Sequence, residues 1–589
     1  MKLLPLALAL LPPAAFSHSH GPARGLLGLG GCMESRPAPP STLGGCAGDK
    51  LVSASLDKRA VEKGGEVTLT WSGAASHAPS TSDWLGFFCS DDLASLEDSG
   101  YFDYRYLTAA EAAANAGSLT IALLSGREDA CEFRFFTSGH CEIGESPPVK
   151  IVDAKTAVGG RHLALTGNSS EMRVSWTSGS RAAPSVSWGA EGGSLGFAAG
   201  GSCRTYGKED MCEAPANAEA GFVDPGWLCS AVMTGLAPDA TYYYKVTSDG
   251  STFSEETRFQ AAPPADDPDY SFSFVAYGDM GTWSGTDGAA SVATASISKA
   301  EVELNGARRI DHFGDISYAR GVSSIWDVWF ELIEPYAKRV PYMVTIGNHE
   351  FDYSAGQEND PSIDGERNPQ GAFRPAWWNG GSDSGGECGV PVHSRFEMPE
   401  SPLSNGVFWY AFDFANVHTV MMSSEHNCTQ GSPQYQFLEQ DLAKVDRSKT
   451  PWVVVEFHRP MYNNENYQSD YDVAVGMQGE FEELLVKHDV DLVLAGHYHS
   501  YLRTSRIYKD KKDPVNGIYH MTVGSAGASL DVADLIEKDW TEYFSMNFGV
   551  ARVTVANSTH MKWEFIENKD NGNTGEVVDE TWIVKKDFV

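Results

Sequence analysis

Between residues 51 and 155, apolar and polar positions alternate in short runs such as EVTLTW (66–71) and CEFRFF (131–136). That is the period-two signature of half-buried strands, and it predicts a β-sandwich module over 51–155. Alternation continues through 156–262, in EMRVSW (171–176), SVSW (185–188) and LAPDATYYYKV (236–246), the last a turn feeding a strand whose alternate tyrosines face opposite sides. The run AAPPADDPD (261–269) reads as a linker. From 268 to 589 the pattern changes. Short apolar runs, SFSFVAY (271–277), YMVTI (342–346), WVVVEF (452–457) and DLVLA (491–495), are separated by segments with apolar residues every three or four positions, at 323–338, 433–446 and 479–489. This predicts an α/β unit in which helices cover buried strands, interrupted by a long Gly-rich stretch at 351–405.

A length of 589 residues agrees with several modules rather than one core. The first 17 residues, one Lys, a short apolar run and then small residues, have the order of a secretory signal peptide, and 18–50 is a Gly- and Pro-rich spacer. The second module resembles a fibronectin type III unit in its turn and tyrosine pattern. Ten cysteines without CxxC spacing are expected to form disulfides in an exported chain, and Asn168, Asn427 and Asn557 each begin a glycosylation sequon. The expected setting is secreted. With 44 basic against 79 acidic residues the net charge is −35, which repels nucleic acid and anionic membranes. A small anionic substrate would need concentrated local positive charge, and metal ions are its most compact source.

Each apolar run of the α/β unit ends in polar residues of one chemical type. VAYGDMG places Asp279 there, HFGDISY places Asp315 and Tyr318, and TIGNHEF places Asn348, His349 and Glu350. VEFHRPMY contributes His458, and LAGHYHSY contributes His497 and His499. Ligands of open α/β sheets gather beyond the carboxyl ends of the strands, so these turns can converge on one crevice. Oxygen and imidazole donors without thiolate suit Zn, Fe, Mn or Mg. On extended chain the side chains of His497 and His499 lean to the same side and can reach two adjacent ions.

These turns resemble the motif blocks of the purple acid phosphatases, within the calcineurin-like metallophosphoesterases. GDxG, GDxxY, GNH(D/E), VxxH and GHxH appear in that order as GDMG, GDISY, GNHE, VEFH and GHYH. TYGKEDMC, DPGW, SGGECGVP, SSEHN and FIENKD also look like segments of the longer, plant-type members. The resemblance implies a fibronectin-like purple acid phosphatase N-terminal domain over 156–262. It implies a metallophosphoesterase domain over 268–589, a β-sandwich flanked by helices with a C-terminal segment from about 530. It further implies Fe(3+) on Asp279, Tyr318 and His499, and a divalent Zn, Mn or Fe on Asn348, His458 and His497, with Asp315 bridging both. A phenol with an ordinary pKa near ~10 must lose its proton to ligate, which a trivalent cation favours. The implied activity is that of an acid phosphatase hydrolysing small phosphate monoesters by attack of a metal-bound hydroxide. In it His349 contacts the phosphate and helps protonate the leaving oxygen, while Glu350 supports a ligand.

One departure bears on the substrate. Smaller plant members carry a histidine pair shortly after VxxH, whereas HRPMYNNENYQSD has none after His458, leaving His426 and Arg459 as candidates to contact the substrate. A phosphodiesterase or nucleotide pyrophosphatase on the same metals is an alternative. So, from another class, is an inactive wall- or glycan-binding protein.

Overall fold

Val67, Leu69 and Trp71 of the strand Glu66–Gly73 point inward while their neighbours face solvent, as period-two patterning requires. The computed structural model describes residues 50–90, 103–123, 130–138, 141–218, 221–265, 267–282, 290–351, 357–363, 377–378, 380–466, 468–531, 534–568 and 575–586. The expected leader and nearly all of the spacer lie outside them. In the first module a sheet of Val52–Leu56, Glu66–Gly73 and Ala116–Ala122 faces a sheet centred on Ala130–Phe136, and Trp71, Phe87, Phe133 and Phe135 fill the space between. Cys89 and Cys131 sit directly opposite each other in that second sheet and are disulfide-bonded.

The second module packs two four-stranded sheets, with Trp176, Trp188 and Tyr244 in its core. Tyr242 and Tyr244 are buried and Tyr243 lies on the other face, as the sequence predicts. Cys203–Cys229 joins neighbouring strands, and Cys212–Cys388 ties this module to the α/β unit. Cys428 is reduced and buried. The expected linker at 261–269 is not a solvated tether: Ala261 and Ala262 are buried, and Arg308 Nη2 donates to the Ala261 carbonyl at 2.7 Å.

Among the described residues the α/β unit is built on two large sheets, beside a two-stranded ribbon of Ile507–Tyr508 and Lys511–Lys512. One has the order Tyr342–Thr345, Ile310–Phe313, Phe272–Tyr277, Gly549–Val555, His560–Asn568, Gly575–Val584. The other has the order Tyr410–Phe414, Val417–Met421, Trp452–Glu456, Leu492–Ala495, Tyr519–Val523, Tyr501–Thr504, Thr541–Ser545. Phe272–Tyr277, Ile310–Phe313 and Tyr342–Thr345 are parallel, as are Trp452–Glu456 and Leu492–Ala495. Their carboxyl ends therefore open at one edge of each sheet. Helices match the expected positions at Ser324–Ala337 and Pro433–Leu442, but the third runs Gln468–Lys487 rather than 479–489. Its polar, Gly-containing first half hides the helical period in the sequence. The Gly-rich stretch 351–405 also holds a short helix, Val390–Arg395.

The helix Ser324–Ala337 follows directly on the turn bearing Asp315 and Tyr318, and both β modules hold it. Its Val328 enters the first module's core and Glu331 pairs with Lys63 Nζ at 2.9 Å. From the second module, the Gly160 amide and Arg161 Nε donate to Glu334 at 2.7 and 2.8 Å. Among the described residues no helix is long and apolar enough to cross a membrane.

Candidate metal centre

The strand ends bring the polar turns together by reversing the chain just past the last ladder residue. Asp279, Asp315, Tyr318 and His497 all adopt left-handed backbone, with φ of 62°, 49°, 54° and 69°. Such conformations cost roughly 1–3 kcal/mol for a residue with a Cβ and persist where surrounding structure enforces them. The His-x-His pair is thus a sharp turn and not the extended segment expected from the sequence. The glycines before Asn348 and His497 are required by close approach: a Cβ on Gly347 would fall on Asp315 Oδ1, and one on Gly496 would fall on Asp279 Oδ2. This explains the G of the GN and GH blocks, a signal present in the sequence whose role the strand pattern alone does not disclose.

Two donor groups result, and both contain Asp315. Asp279, Asp315 and His499 form one, and Asp315, His458 and His497 the other, with one donor atom per residue all within 4.8 Å of one another in each group. Tyr318 completes the first: its Oη lies 2.8 Å from His499 Nε2 and donates to Asp279 Oδ1 at 3.1 Å. Asn348 completes the second, with Oδ1 at 3.0 Å from His458 Nε2 and 3.1 Å from His497 Nδ1. All seven residues expected to hold metal are brought into one cluster.

The outward atoms of these side chains are pinned. His458 Nδ1 donates to the Phe313 carbonyl at 3.0 Å and His499 Nδ1 to the Ser529 carbonyl, so in each ring Nε2 is the nitrogen turned inward. His497 is reversed: Nδ1 faces Asn348, while Nε2 faces Asp470 Oδ1 at 3.4 Å and Arg459 Nη1 at 3.1 Å. Outer partners of this kind fix tautomer and ring orientation in metal sites. Glu350 accepts from the amides of Ile316 and Gly347 at 2.7 and 3.0 Å, tying the Asp315 turn to the Asn348 turn.

Electrostatics fit cations. Burial alone would raise the Asp315 carboxyl, but the imidazoles of His458 and His349 hold it well below the usual range. Burial opposes charge on His458 and His499 too, yet the surrounding carboxylates push them up to about 10 and about 9, so protons stand where metal would bind. Burial, then the charges of Asp279 and Asp315, lift the Tyr318 phenol well above its ordinary value. Only strong local positive charge would convert it to phenolate.

His349 stands beside this cluster. Its amide donates to Asp315 Oδ1 at 2.9 Å, its Nε2 is 3.7 Å from Asp315 Oδ2, and its ring lies 4.4 Å from that of Tyr318. The two tentative substrate contacts are placed differently. Arg459 is buried, with Nε donating to Glu425 at 2.8 Å and Nη1 to Asp470 at 3.2 Å beside His497. His426 is stacked 4.0 Å from the ring of Phe351, near Phe408, with Nδ1 2.8 Å from Ser423 Oγ; burial pushes it down to about 3, so it is a neutral ring in an aromatic box. The structure does not bring it into the donor cluster.

Comparison with known proteins now decides the family. A protein from Arabidopsis thaliana named probable inactive purple acid phosphatase 9 is 32% identical over 587 residues, covering 89% of this chain and 85% of that one. The chain belongs to the purple acid phosphatase family. Residues 159–261 match the purple acid phosphatase N-terminal domain, 310–501 the calcineurin-like phosphoesterases, and 517–580 the iron/zinc purple acid phosphatase-like C-terminal region. Purple acid phosphatase 18 of the same plant is 31% identical over 72% of this chain and 83% of its own length. A purple acid phosphatase from yellow lupin (Lupinus luteus) seeds shares the fold with a TM-score of 0.76, at 28% identity over 91% of this chain and 96% of that one.

Proposed function

We propose that this purple acid phosphatase is a secreted acid phosphatase that hydrolyses small phosphate monoesters at a dinuclear metal centre. The observation that supports it is the orientation of the donors: outer polar atoms held by carbonyls and carboxylates, inner atoms gathered around Asp315. Asp279, Tyr318 and His499 would hold a ferric ion, Asn348, His458 and His497 a divalent Zn, Mn or Fe, and Asp315 would serve both. When bound, such a pair lowers the pKa of water, polarises a phosphoryl oxygen and neutralises developing charge. With Nδ1–H committed to a carbonyl, His349 as the imidazolium would offer Nε2–H to the phosphate and pass that proton to the leaving oxygen, ending as the neutral ring. Arg459 acts through Asp470, donating to the carboxylate that faces the outer nitrogen of His497. The disulfides suit an oxidising compartment, in line with export.

A second reading, a catalytically silent protein, draws on the names of relatives such as probable inactive purple acid phosphatases 9 and 1 of Arabidopsis thaliana. The complete donor set argues against it. Turnover of a phosphomonoester and of a phosphodiester by metal-replete protein separates the cases. Monoester hydrolysis is expected to dominate, a diester preference would redirect the substrate, and no turnover with both ions bound would favour the silent protein.

A further inference from the structure

The Gly-rich segment following residue 380 reaches the centre through Asp383. Asn348 Nδ2 donates to Asp383 Oδ2 at 3.1 Å, which turns Oδ1 of the same amide toward His458 and His497. The carbonyl of Asp383 lies 2.8 Å from His349 Nδ1. A carbonyl only accepts, so that nitrogen carries the proton and Nε2 is left facing Asp315. One residue therefore orients a candidate ligand through its side chain and the proton-transfer histidine through its backbone.

The second module holds this segment in place. Cys388 is disulfide-bonded to Cys212, the Cys212 amide donates to the Gly386 carbonyl at 2.9 Å, and the Ala216 amide donates to the Gly385 carbonyl at 3.2 Å. On its other side, Glu387 accepts from the Gly321 amide at 3.2 Å and from Trp326 Nε1 at 3.1 Å, next to the turn that carries Asp315 and Tyr318. Position 383 is thus fixed between the N-terminal module and the metal-bearing turns.

We propose that Asp383 is a positioning residue of the centre, delivered to Asn348 and His349 by a segment that the Cys212–Cys388 cross-link anchors to the N-terminal module. An amide oxygen is a weak neutral donor; a carboxylate accepting from its Nδ2 makes that oxygen more basic and prevents the flip that would turn NH2 toward the cation. Loss of such outer partners lowers metal affinity by roughly 10–100-fold.

The inference rests on the dinuclear reading, and zinc titration of metal-free full-length protein by calorimetry tests the two separately. Parental protein should bind two equivalents. Asp383→Ala, which keeps the carbonyl bond to His349, should weaken one binding step by about 10–100-fold and leave the other unchanged. Asp383→Asn, whose amide oxygen can still accept from Asn348, should stay close to parental. Cys212→Ala with Cys388→Ala should weaken the same step as Asp383→Ala. Parental affinity for both ions in Asp383→Ala, or equal weakening of both steps, would overturn the proposal while leaving two metals in place. Failure of the parental protein to bind two ions would instead remove the dinuclear reading and this inference with it.

Discussion

Asp315→Asn is expected to weaken both metal sites together and to lower turnover on the order of 10³-fold or more, because several kcal/mol of transition-state charge stabilisation depend on the pair of ions. Asp315 belongs to both donor groups, and in the proposed two-metal reading its carboxylate would supply the negative charge that offsets the repulsion of the two cations. The substitution is a clean one. Asparagine tolerates the φ of 49°, keeps the shape of the side chain and can still accept from the His349 amide, now at 2.9 Å. The charge is removed, and one carboxylate oxygen becomes an NH2 that can neither accept nor ligate. Asn348→Ala should instead empty mainly the site built on His458 and His497. Metal titration of both variants makes the comparison, and two ions bound by Asp315→Asn with parental affinity would mean that Asp315 is not shared.

His349→Ala is expected to lower turnover by ~10²–10⁴ with metal content unchanged, the usual range for loss of a general acid or base. Its geometry separates the two effects. The contact with Asp315 made by its backbone amide survives truncation, whereas the imidazole between the Asp383 carbonyl and Asp315 Oδ2 does not. Loss of one metal equivalent in this variant would make His349 a support for a ligand rather than a group acting on substrate. The ring also packs on Tyr318, so the visible spectrum of the variant reports whether that contact matters to the proposed iron site.

The ligand turns were legible in the sequence because each follows a short apolar strand, and parallel strands deliver their carboxyl ends to one edge. Although their reading as ligands comes from the resemblance, the placement of Asp279, Asp315, Asn348, His458 and His499 at strand ends follows from that rule. The left-handed turn at His497 does not, since a His-x-His spacing fits extended chain equally well. His426 and Arg459 were marked by residue type near the motifs; packing sets His426 in an aromatic box and Arg459 against Glu425 and Asp470, beside His497. Asp383 carried no periodic signal at all. Its place depends on a disulfide between residues 176 positions apart, and cysteine counts do not reveal connectivity. Likewise the strands Gly549–Val555, His560–Asn568 and Gly575–Val584, which extend the sheet of Phe272–Tyr277, lie in a region read only as a C-terminal segment.

The central claim is a phenolate-bearing iron site joined through Asp315 to a second ion. Metal analysis together with the visible spectrum of oxidised protein, parental and Tyr318→Phe, tests it most directly. The account predicts two ions per chain, at least one of them iron, with a visible band that disappears in Tyr318→Phe while the fold is kept. A single ion in the parental protein, or an iron-loaded Tyr318→Phe variant that keeps its colour, would contradict it.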